Sequence, residues 1–135
     1  PFPGRLEIID SNRAVIINDT YNSNPTSMKE AIDVLTSMEG KKILVIGDMA
    51  ELGNNSNQYH KDLGDYIKES NIDFTLAVGR HTKITMQQLG RNKFWFDSKE
   101  SLLSKLIKII TKKSIVLVKG SRFMKMEDIV NKIIL

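Results

Sequence analysis

The sequence of 135 residues contains no cysteine. A disulfide framework, a thiolate zinc site and a thiol nucleophile are therefore excluded, and nothing calls for an oxidising compartment. Long apolar runs are also missing, because no stretch approaches the roughly 20 residues of a membrane-spanning helix. The opening residues have neither the basic start nor the apolar run of a signal peptide. We therefore expect a soluble cytoplasmic protein that makes no contact with a membrane.

Clustered charge is absent as well. The formal net charge is +4, but the lysines are spread over predicted helical faces, as at Lys105, Lys108 and Lys112, and no aromatic residues alternate with them. A nucleic-acid site needs cations gathered on one face. We interpret the charge as a solvated lysine-rich surface and expect no nucleic-acid partner.

The length and the hydrophobic content of 41% suit one buried core. The chain starts without methionine, and its first four residues, Pro-Phe-Pro-Gly, are typical of a linker. We expect residues 1–4 to be the remnant of an interdomain linker and residues 5–135 to be a single domain of a longer protein, acting as a monomer.

Alternating strand-like and helix-like segments predict the fold. Apolar runs at residues 43–46, 74–78, 94–96 and 115–118 end in glycine or polar residues, as expected of strands buried on both faces. Amphipathic segments suited to helices separate and follow these runs, at residues 57–70, 82–89, 98–111 and 125–134. The alternation implies crossover connections and a mostly parallel sheet with helices on both sides.

The amino-terminal part adds a hairpin and a helix. Runs at residues 5–10 and 14–19 flank a short polar turn, which predicts two antiparallel strands. Pro25 suits the first turn of a helix, and apolar residues recur after it at helical spacing. The predicted architecture is a Rossmann-like three-layer α/β sandwich, with a mostly parallel sheet of about six strands and an N-terminal antiparallel hairpin.

Polar tails follow the predicted strands, where an open α/β sheet binds its ligands. They span residues 19–25, 47–53, 79–81 and 119–122, and they mix carboxylates, amides and cations. Neither a P-loop motif nor a glycine-rich dinucleotide motif is present. The chain therefore cannot cradle a triphosphate in the usual way, and any nucleotide contact must be supplementary.

Four segments together resemble the third domain of Mur ligases. They are PGRLE at residues 3–7, NDTYNSNPTSM at 18–28, GDMAELG at 47–53 with His60 beyond it, and VKGSR at 118–122. The resemblance covers essentially the whole chain in the right order. The second and fourth segments are most similar to the members that add D-alanyl-D-alanine to UDP-N-acetylmuramoyl-tripeptide.

The resemblance implies an ATP-dependent, amide-forming ligase of three domains in cell-wall peptidoglycan synthesis. An N-terminal domain would hold the UDP-sugar, a central domain would hold most of ATP and Mg²⁺, and this domain would close over both. The substrate carboxylate would become an acyl phosphate, which the amine of D-alanyl-D-alanine attacks. We expect the isolated chain to be inactive, with no secure catalytic residue and no metal ligand of its own.

The resemblance also implies roles for residues near the nucleotide. Arg5 would reach the terminal phosphate and Asp19 would accept hydrogen bonds from the ribose. Tyr21, Asn22 and Asn24 would line the same crevice. The alternatives are a surface arginine at position 5, a turn-capping carboxylate at position 19 and a helix N-cap at position 24.

A second set of residues is assigned to the substrates. Asp48 and Glu51 would position the incoming amine, and Lys119, Ser121 and Arg122 would receive the carboxylate of the dipeptide. The alternatives are a polar loop at residues 48 and 51 and a cationic loop that only ends the last strand.

Other residues are predicted to be structural. His60 lies on a predicted helix and is interpreted as a packing or hydrogen-bonding residue, and Trp95, Met124 and Met126 as core or lining residues.

Competing functions are a sister ligase with another amino-acid substrate, a non-catalytic Rossmann-like module that binds a ligand or a protein, and a phosphoreceiver that pairs Asp48 with Lys119. The last ranks low, because such a domain needs neither the hairpin nor the asparagine-rich loop.

Overall fold

The computed structural model describes residues 2–134, so Pro1 of the predicted linker and Leu135 of the predicted domain lie outside the described residues. Six strands form one sheet in the order β1-β2-β6-β3-β4-β5. The strands are β1 Glu7–Asp10, β2 Val15–Asp19, β3 Lys41–Ile46, β4 Phe74–Val78, β5 Lys93–Phe96 and β6 Ser114–Lys119. Only the β1–β2 pair among them is antiparallel. The predicted mostly parallel sheet with an N-terminal hairpin is confirmed.

Five α-helices and two 3₁₀ turns lie between the strands or after the last of them in the described part of the chain. The helices are α1 Pro25–Ser37, α2 Ser56–Glu69, α3 Thr82–Gln87, α4 Lys99–Ile109 and α5 Glu127–Ile133, and the turns are Gly53–Asn55 and Arg122–Met124. Helix α1 begins with a capping box, in which Asn24 and Ser27 exchange side-chain to backbone hydrogen bonds, and Pro25 follows the cap.

The core has two halves, one on each face of the sheet. Because successive side chains of a strand point to opposite faces, Ile17 and Leu117 pack against α1, α2 and α3, while Ile16 and Val116 pack against α4 and α5. All six residues of β6 are buried. The result is the predicted three-layer sandwich, with β6 near its centre.

Several element boundaries differ from the prediction, and two of the differences have a local backbone cause. The first strand begins at Glu7 rather than at residue 5, because Leu6 has φ +46°, outside the strand region, and Arg5 instead forms an isolated bridge with Phe2. The last helix begins at Glu127 rather than at residue 125, because Lys125 is left-handed at φ +50° and ends the preceding 3₁₀ turn. Between residues 2 and 134, no helix is long and apolar enough to cross a bilayer.

Candidate functional site

The sheet register gathers three of the polar tails at one edge. Asp19, the last residue of β2, is paired with Lys119, the last residue of β6, and Lys119 is in turn paired with Ile46 of β3. The tails also bond to each other, since the N–H of Gly47 donates to Lys119 O (2.8 Å) and the N–H of Ser121 donates to Asp48 O (2.9 Å). The carboxyl ends of three adjacent strands thus form one rim.

Asp19 and Lys119 form a buried ion pair at this rim. Asp19 is 7% exposed and Lys119 is 2% exposed. The Lys119 ammonium donates to Asp19 Oδ2 at 2.8 Å and to the carbonyl of Asn22 at 2.9 Å. The backbone N–H of Leu6 donates to Asp19 Oδ1 at 3.0 Å. A carboxylate accepts up to about four hydrogen bonds, so Asp19 keeps acceptor capacity for a ligand.

Arg5 is exposed beside this ion pair and is held by aromatic rings. Its guanidinium carbon lies 4.6 Å from the Phe2 ring centroid and 4.2 Å from the Tyr21 ring centroid. The N–H of Tyr21 donates to Gly4 O at 2.9 Å, which ties the segment before Arg5 to the tail after β2. Stacking restricts the side chain while leaving the guanidinium N–H groups available to an anion.

A pocket of about 350 Å³ lies among these groups. It is lined by Arg5, Leu6, Asp19, Tyr21, Asn22, Asn24, Ser27, Glu30 and Lys119. All five residues assigned to the nucleotide line this one pocket, so the structure brings them together. Lys119, which the sequence assigned to the dipeptide, also lies here, because its ammonium bonds to Asp19. Asn24 caps α1, which confirms the alternative role considered for it; its contact with a nucleotide stays a prediction.

A second pocket of about 440 Å³ lies beyond β3 and β4. It is lined by Asp48, Met49, Ala50, Glu51, Leu52, Gly53, Ser56, Arg80, His81, Ser121, Phe123 and Met124. Asp48 Oδ1 accepts from the N–H groups of His81 (3.1 Å) and Thr82 (3.0 Å), which fixes the start of α3. Gly79 faces the Asp48 carboxylate so closely that an added Cβ would lie 2.4 Å from Oδ1. Asp48 thus stabilises the start of α3 through Oδ1, while Oδ2 can still accept a hydrogen bond from a ligand.

A third pocket of about 430 Å³ joins the other two. It shares Tyr21, Asn22 and Asn24 with the first, and Ala50, Glu51, Leu52 and Phe123 with the second. Arg122 lines this middle part, donating to Thr20 O at 3.3 Å and to the Glu127 carboxylate. The three pockets form a continuous trough, which we call the rim groove.

Several lining residues were not among the assigned site residues, including Arg80, His81 and Phe123. Arg80 and His81 belong to the polar tail at residues 79–81, and their position directly after β4 was the sequence feature that could have assigned them to the site. Phe123 is 88% exposed, and the sequence does not distinguish it from a core phenylalanine. The pairing of Lys119 with Asp19 also removes the Asp48–Lys119 pair that a phosphoreceiver would need.

His60 is a buried structural residue, as the sequence indicated. Its Nε2 accepts from the N–H of Met49 at 3.1 Å, and its Nδ1 donates to the carbonyl of Ser56 at 2.8 Å. The ring stacks on His81 with centroids 5.3 Å apart. Both nitrogens of a neutral ring are satisfied, so His60 links α2 to the loop that lines the second pocket.

Acid is expected to destabilise the domain through His60. Burial lowers the pKa of His60 below its ordinary value of 6.5, and this outweighs the opposing hydrogen bond to Ser56 and the charge of Asp48. Below pH 6.5 the unfolded chain therefore takes up a proton that the folded protein does not. The free energy of unfolding therefore keeps its full value above that pH. It falls as the pH is lowered, by at most about 1.4 kcal/mol per pH unit.

Urea unfolding between pH 7.5 and pH 5 measures this slope. His60→Gln is expected to flatten it. His81→Gln, which changes the other ring of the stack, is expected to retain most of it, because burial is the largest cause of the lowered pKa of His60 and the charge of His81 is the smallest. An equal slope in the wild type and in His60→Gln would contradict the assignment.

The residues present fit part of a nucleotide. A carboxylate with free acceptor capacity, an exposed arginine and a half-exposed tyrosine ring suit a ribose and a terminal phosphate, but no loop suited to cradling a triphosphate lines the groove. In the region that the structure describes, no group of three or more His, Cys, Asp or Glu side chains is placed to bind a metal ion.

Comparisons with known proteins show the family of this chain. The family model described as Mur ligase, glutamate ligase domain, matches residues 4–122. The chain is 42% identical over 135 residues to UDP-N-acetylmuramoyl-tripeptide–D-alanyl-D-alanine ligase of Buchnera aphidicola subsp. Acyrthosiphon pisum, covering 96% of the chain and 29% of that protein.

Solved structures show the same fold. A MurF structure from Acinetobacter baumannii has a TM-score of 0.91 at 34% identity, covering 99% of this chain and 30% of that one. MurF ligase from Thermotoga maritima in complex with ADP has a TM-score of 0.87 at 26% identity, covering 97% and 30%. The chain thus spans less than a third of the length of the proteins it matches. It belongs to the family of Mur ligase, glutamate ligase domains.

Proposed function

We propose that the protein containing this chain joins D-alanyl-D-alanine to UDP-N-acetylmuramoyl-tripeptide at the expense of ATP, and that this chain is its C-terminal domain. The observation that carries the proposal is the rim groove, where a nucleotide-suited pocket and a second polar pocket adjoin. The groove is open, as expected of half of a site shared with other domains. The Buchnera relative is named for the same substrates, which supports the proposal.

In this proposal the first pocket serves the nucleotide. The Arg5 guanidinium, oriented by Phe2 and Tyr21, binds oxygens of the terminal phosphate. The Asp19 carboxylate, fixed by Lys119 and Leu6, accepts hydrogen bonds from ribose hydroxyls. Tyr21, Asn22 and Asn24 line the remaining wall. Mg²⁺, held by the central domain, would neutralise charge on the transferring phosphoryl group.

The remainder of the groove serves the amine. A carboxylate oxygen of the tripeptide attacks the terminal phosphorus and ADP leaves; the dipeptide nitrogen then attacks the acyl carbon and phosphate leaves. Glu51 and the free oxygen of Asp48 attract the ammonium group of the dipeptide, which must lose a proton before it attacks. Arg122 and Ser121 bind its carboxylate. Closure of the other domains over the groove excludes water that would hydrolyse the acyl phosphate.

The wider setting follows from the same proposal. The remaining domains of the chain, preceding residues 1–4, supply the UDP-sugar site and most of the ATP site. The enzyme acts in the cytoplasm as a monomer. The residues of this chain bind and orient substrates, and none of them is assigned a bond-making role.

An amide-forming assay tests the proposal. Full-length protein, ATP, Mg²⁺ and UDP-N-acetylmuramoyl-tripeptide are combined with D-alanyl-D-alanine or with D-alanine, D-glutamate, L-lysine or meso-diaminopimelate. We expect ADP release and a product of the pentapeptide mass with D-alanyl-D-alanine only. A product with another amine would indicate a sister ligase, and no ATP turnover with any amine would indicate a non-catalytic module.

A further inference from the structure

The loop between β6 and α5, residues 120–126, places four side chains on the amine part of the rim groove. Ser121, Phe123 and Met124 line the second pocket, and Arg122 lines the third. On the groove side the loop is fixed by the bond from Ser121 N–H to Asp48 O (2.9 Å) and by the bonds of Arg122 to Thr20 O and Glu127.

Lys99, the first residue of α4, holds the end of this loop that leads into α5. Its ammonium donates to the carbonyls of Met124 and Lys125, each at 3.2 Å, and to Asp128 Oδ2 at 2.7 Å. The three acceptors belong to the end of the 3₁₀ turn and the start of α5. One cation therefore ties α4 to the end of the 3₁₀ turn inside the loop and to α5 after it.

The backbone at this point needs such support. Lys125 adopts φ +50° and ψ +50°, a left-handed conformation that a residue with a side chain rarely occupies. Strained residues persist when their surroundings hold them in place. Two carbonyls accepting from one ammonium fix the peptide planes on both sides of that bend. The Lys99 hydrogen bond also holds the pKa of Asp128 below its ordinary value.

We propose that Lys99 is a positioning residue for amine binding, because it holds the residues 120–126 loop in the geometry that presents Ser121 and Arg122 to the groove. Lys99 lines none of the three pockets of the rim groove, so it acts through the loop and not on a substrate. The inference rests on the proposed function for the identity of the amine, but its structural part does not.

Lys99→Met tests the proposal in the full-length enzyme. Methionine keeps much of the length of the side chain but removes the cation. We expect the KM for D-alanyl-D-alanine to rise about tenfold, less than the hundredfold that a 1 Å misplacement can cost, while the KM for ATP stays unchanged. The Lys99 side chain is 27% exposed, which leaves room for Lys99→Arg to restore the donors and most of the affinity.

Lys105→Met is the matched control, because Lys105 lies on the same helix with its ammonium over the Phe94 ring at 4.3 Å. It is expected to behave as the wild type. An unchanged dipeptide KM in Lys99→Met would overturn the proposal. So would an equal rise of both KM values with a lower melting temperature, since that outcome indicates general loss of structure.

Amide hydrogen exchange of the full-length protein separates this proposal from the proposed function. In Lys99→Met the amides of Met124 and Lys125, which bond within the turn, are expected to exchange faster than in the wild type. If exchange is faster but the enzyme does not use D-alanyl-D-alanine as a substrate, the role of Lys99 in holding the loop is supported and the proposed amine substrate is refuted. Unchanged exchange would refute the role of Lys99 whatever the substrate.

Discussion

Asp19→Ala is expected to destabilise the domain by about 3 kcal/mol, because it leaves the Lys119 ammonium buried without its anionic partner. The same variant loses the acceptor of the Leu6 N–H. In the full-length enzyme the KM for ATP is expected to rise roughly tenfold or more, the effect of one hydrogen bond to a charged group. Urea unfolding and steady-state kinetics at varied ATP measure the two effects.

Two further variants show whether the ion pair causes these changes. Asp10→Ala removes an exposed carboxylate at the end of β1 and is expected to change neither stability nor ATP dependence. Adding Lys119→Met to Asp19→Ala removes the unpaired cation, so the double variant is expected to be less destabilised than the sum of the single variants. If Asp19→Ala has the stability and the ATP dependence of the wild type, Asp19 neither stabilises the domain through Lys119 nor contacts the nucleotide.

Gly64→Ala is expected to destabilise the domain by about 2 kcal/mol through overpacking. Gly64 is buried in α2, where an added Cβ would lie 2.4 Å from the carbonyl oxygen of Thr85 and 2.7 Å from Gln88 Cγ. Alanine favours a helix over glycine by about 1 kcal/mol, but a backbone carbonyl cannot turn aside as a flexible side chain can. Helices α2 and α3 would have to separate, which would also disturb the start of α3 that Asp48 caps.

Gly90→Ala is the matched control for this prediction. Nothing lies within 4 Å of a Cβ added at Gly90, and its φ is not left-handed. Alanine there is expected to be neutral or to stabilise by up to about 1 kcal/mol, because it restricts the unfolded chain. Urea unfolding measures the stability of both variants. A Gly64→Ala variant as stable as the wild type would show that α2 and α3 are less closely packed than the structure indicates.

Local patterns predicted most of the fold. Apolar runs ending in glycine marked the strands, and the spacing of Met28, Ala31, Ile32 and Leu35 marked the buried face of α1. These signals are encoded within a few residues of each other. The place of β6 between β2 and β3 was not predictable in the same way, because strand order depends on pairing between segments far apart in sequence.

The site was only partly predictable, because some of its contacts join segments that are far apart in the sequence. The tails after the strands were recognisable, and their meeting at one rim follows from parallel pairing. The partner of Lys119 was not recognisable, since Asp19 lies 100 residues away and becomes its neighbour only through the β2–β6 register. The sequence therefore assigned the two residues to different ligands, whereas the structure places both in one pocket.

Amide hydrogen exchange of the full-length protein, with and without a non-hydrolysable ATP analogue, tests most directly whether the rim groove is half of a nucleotide site. The nucleotide is expected to slow exchange in residues 4–6 and 19–24, the segments that contain most of the residues lining the first pocket. Exchange in α4, which packs on the sheet face opposite α1, is expected to stay unchanged. Unchanged exchange in residues 4–6 and 19–24 with the nucleotide bound would contradict the account.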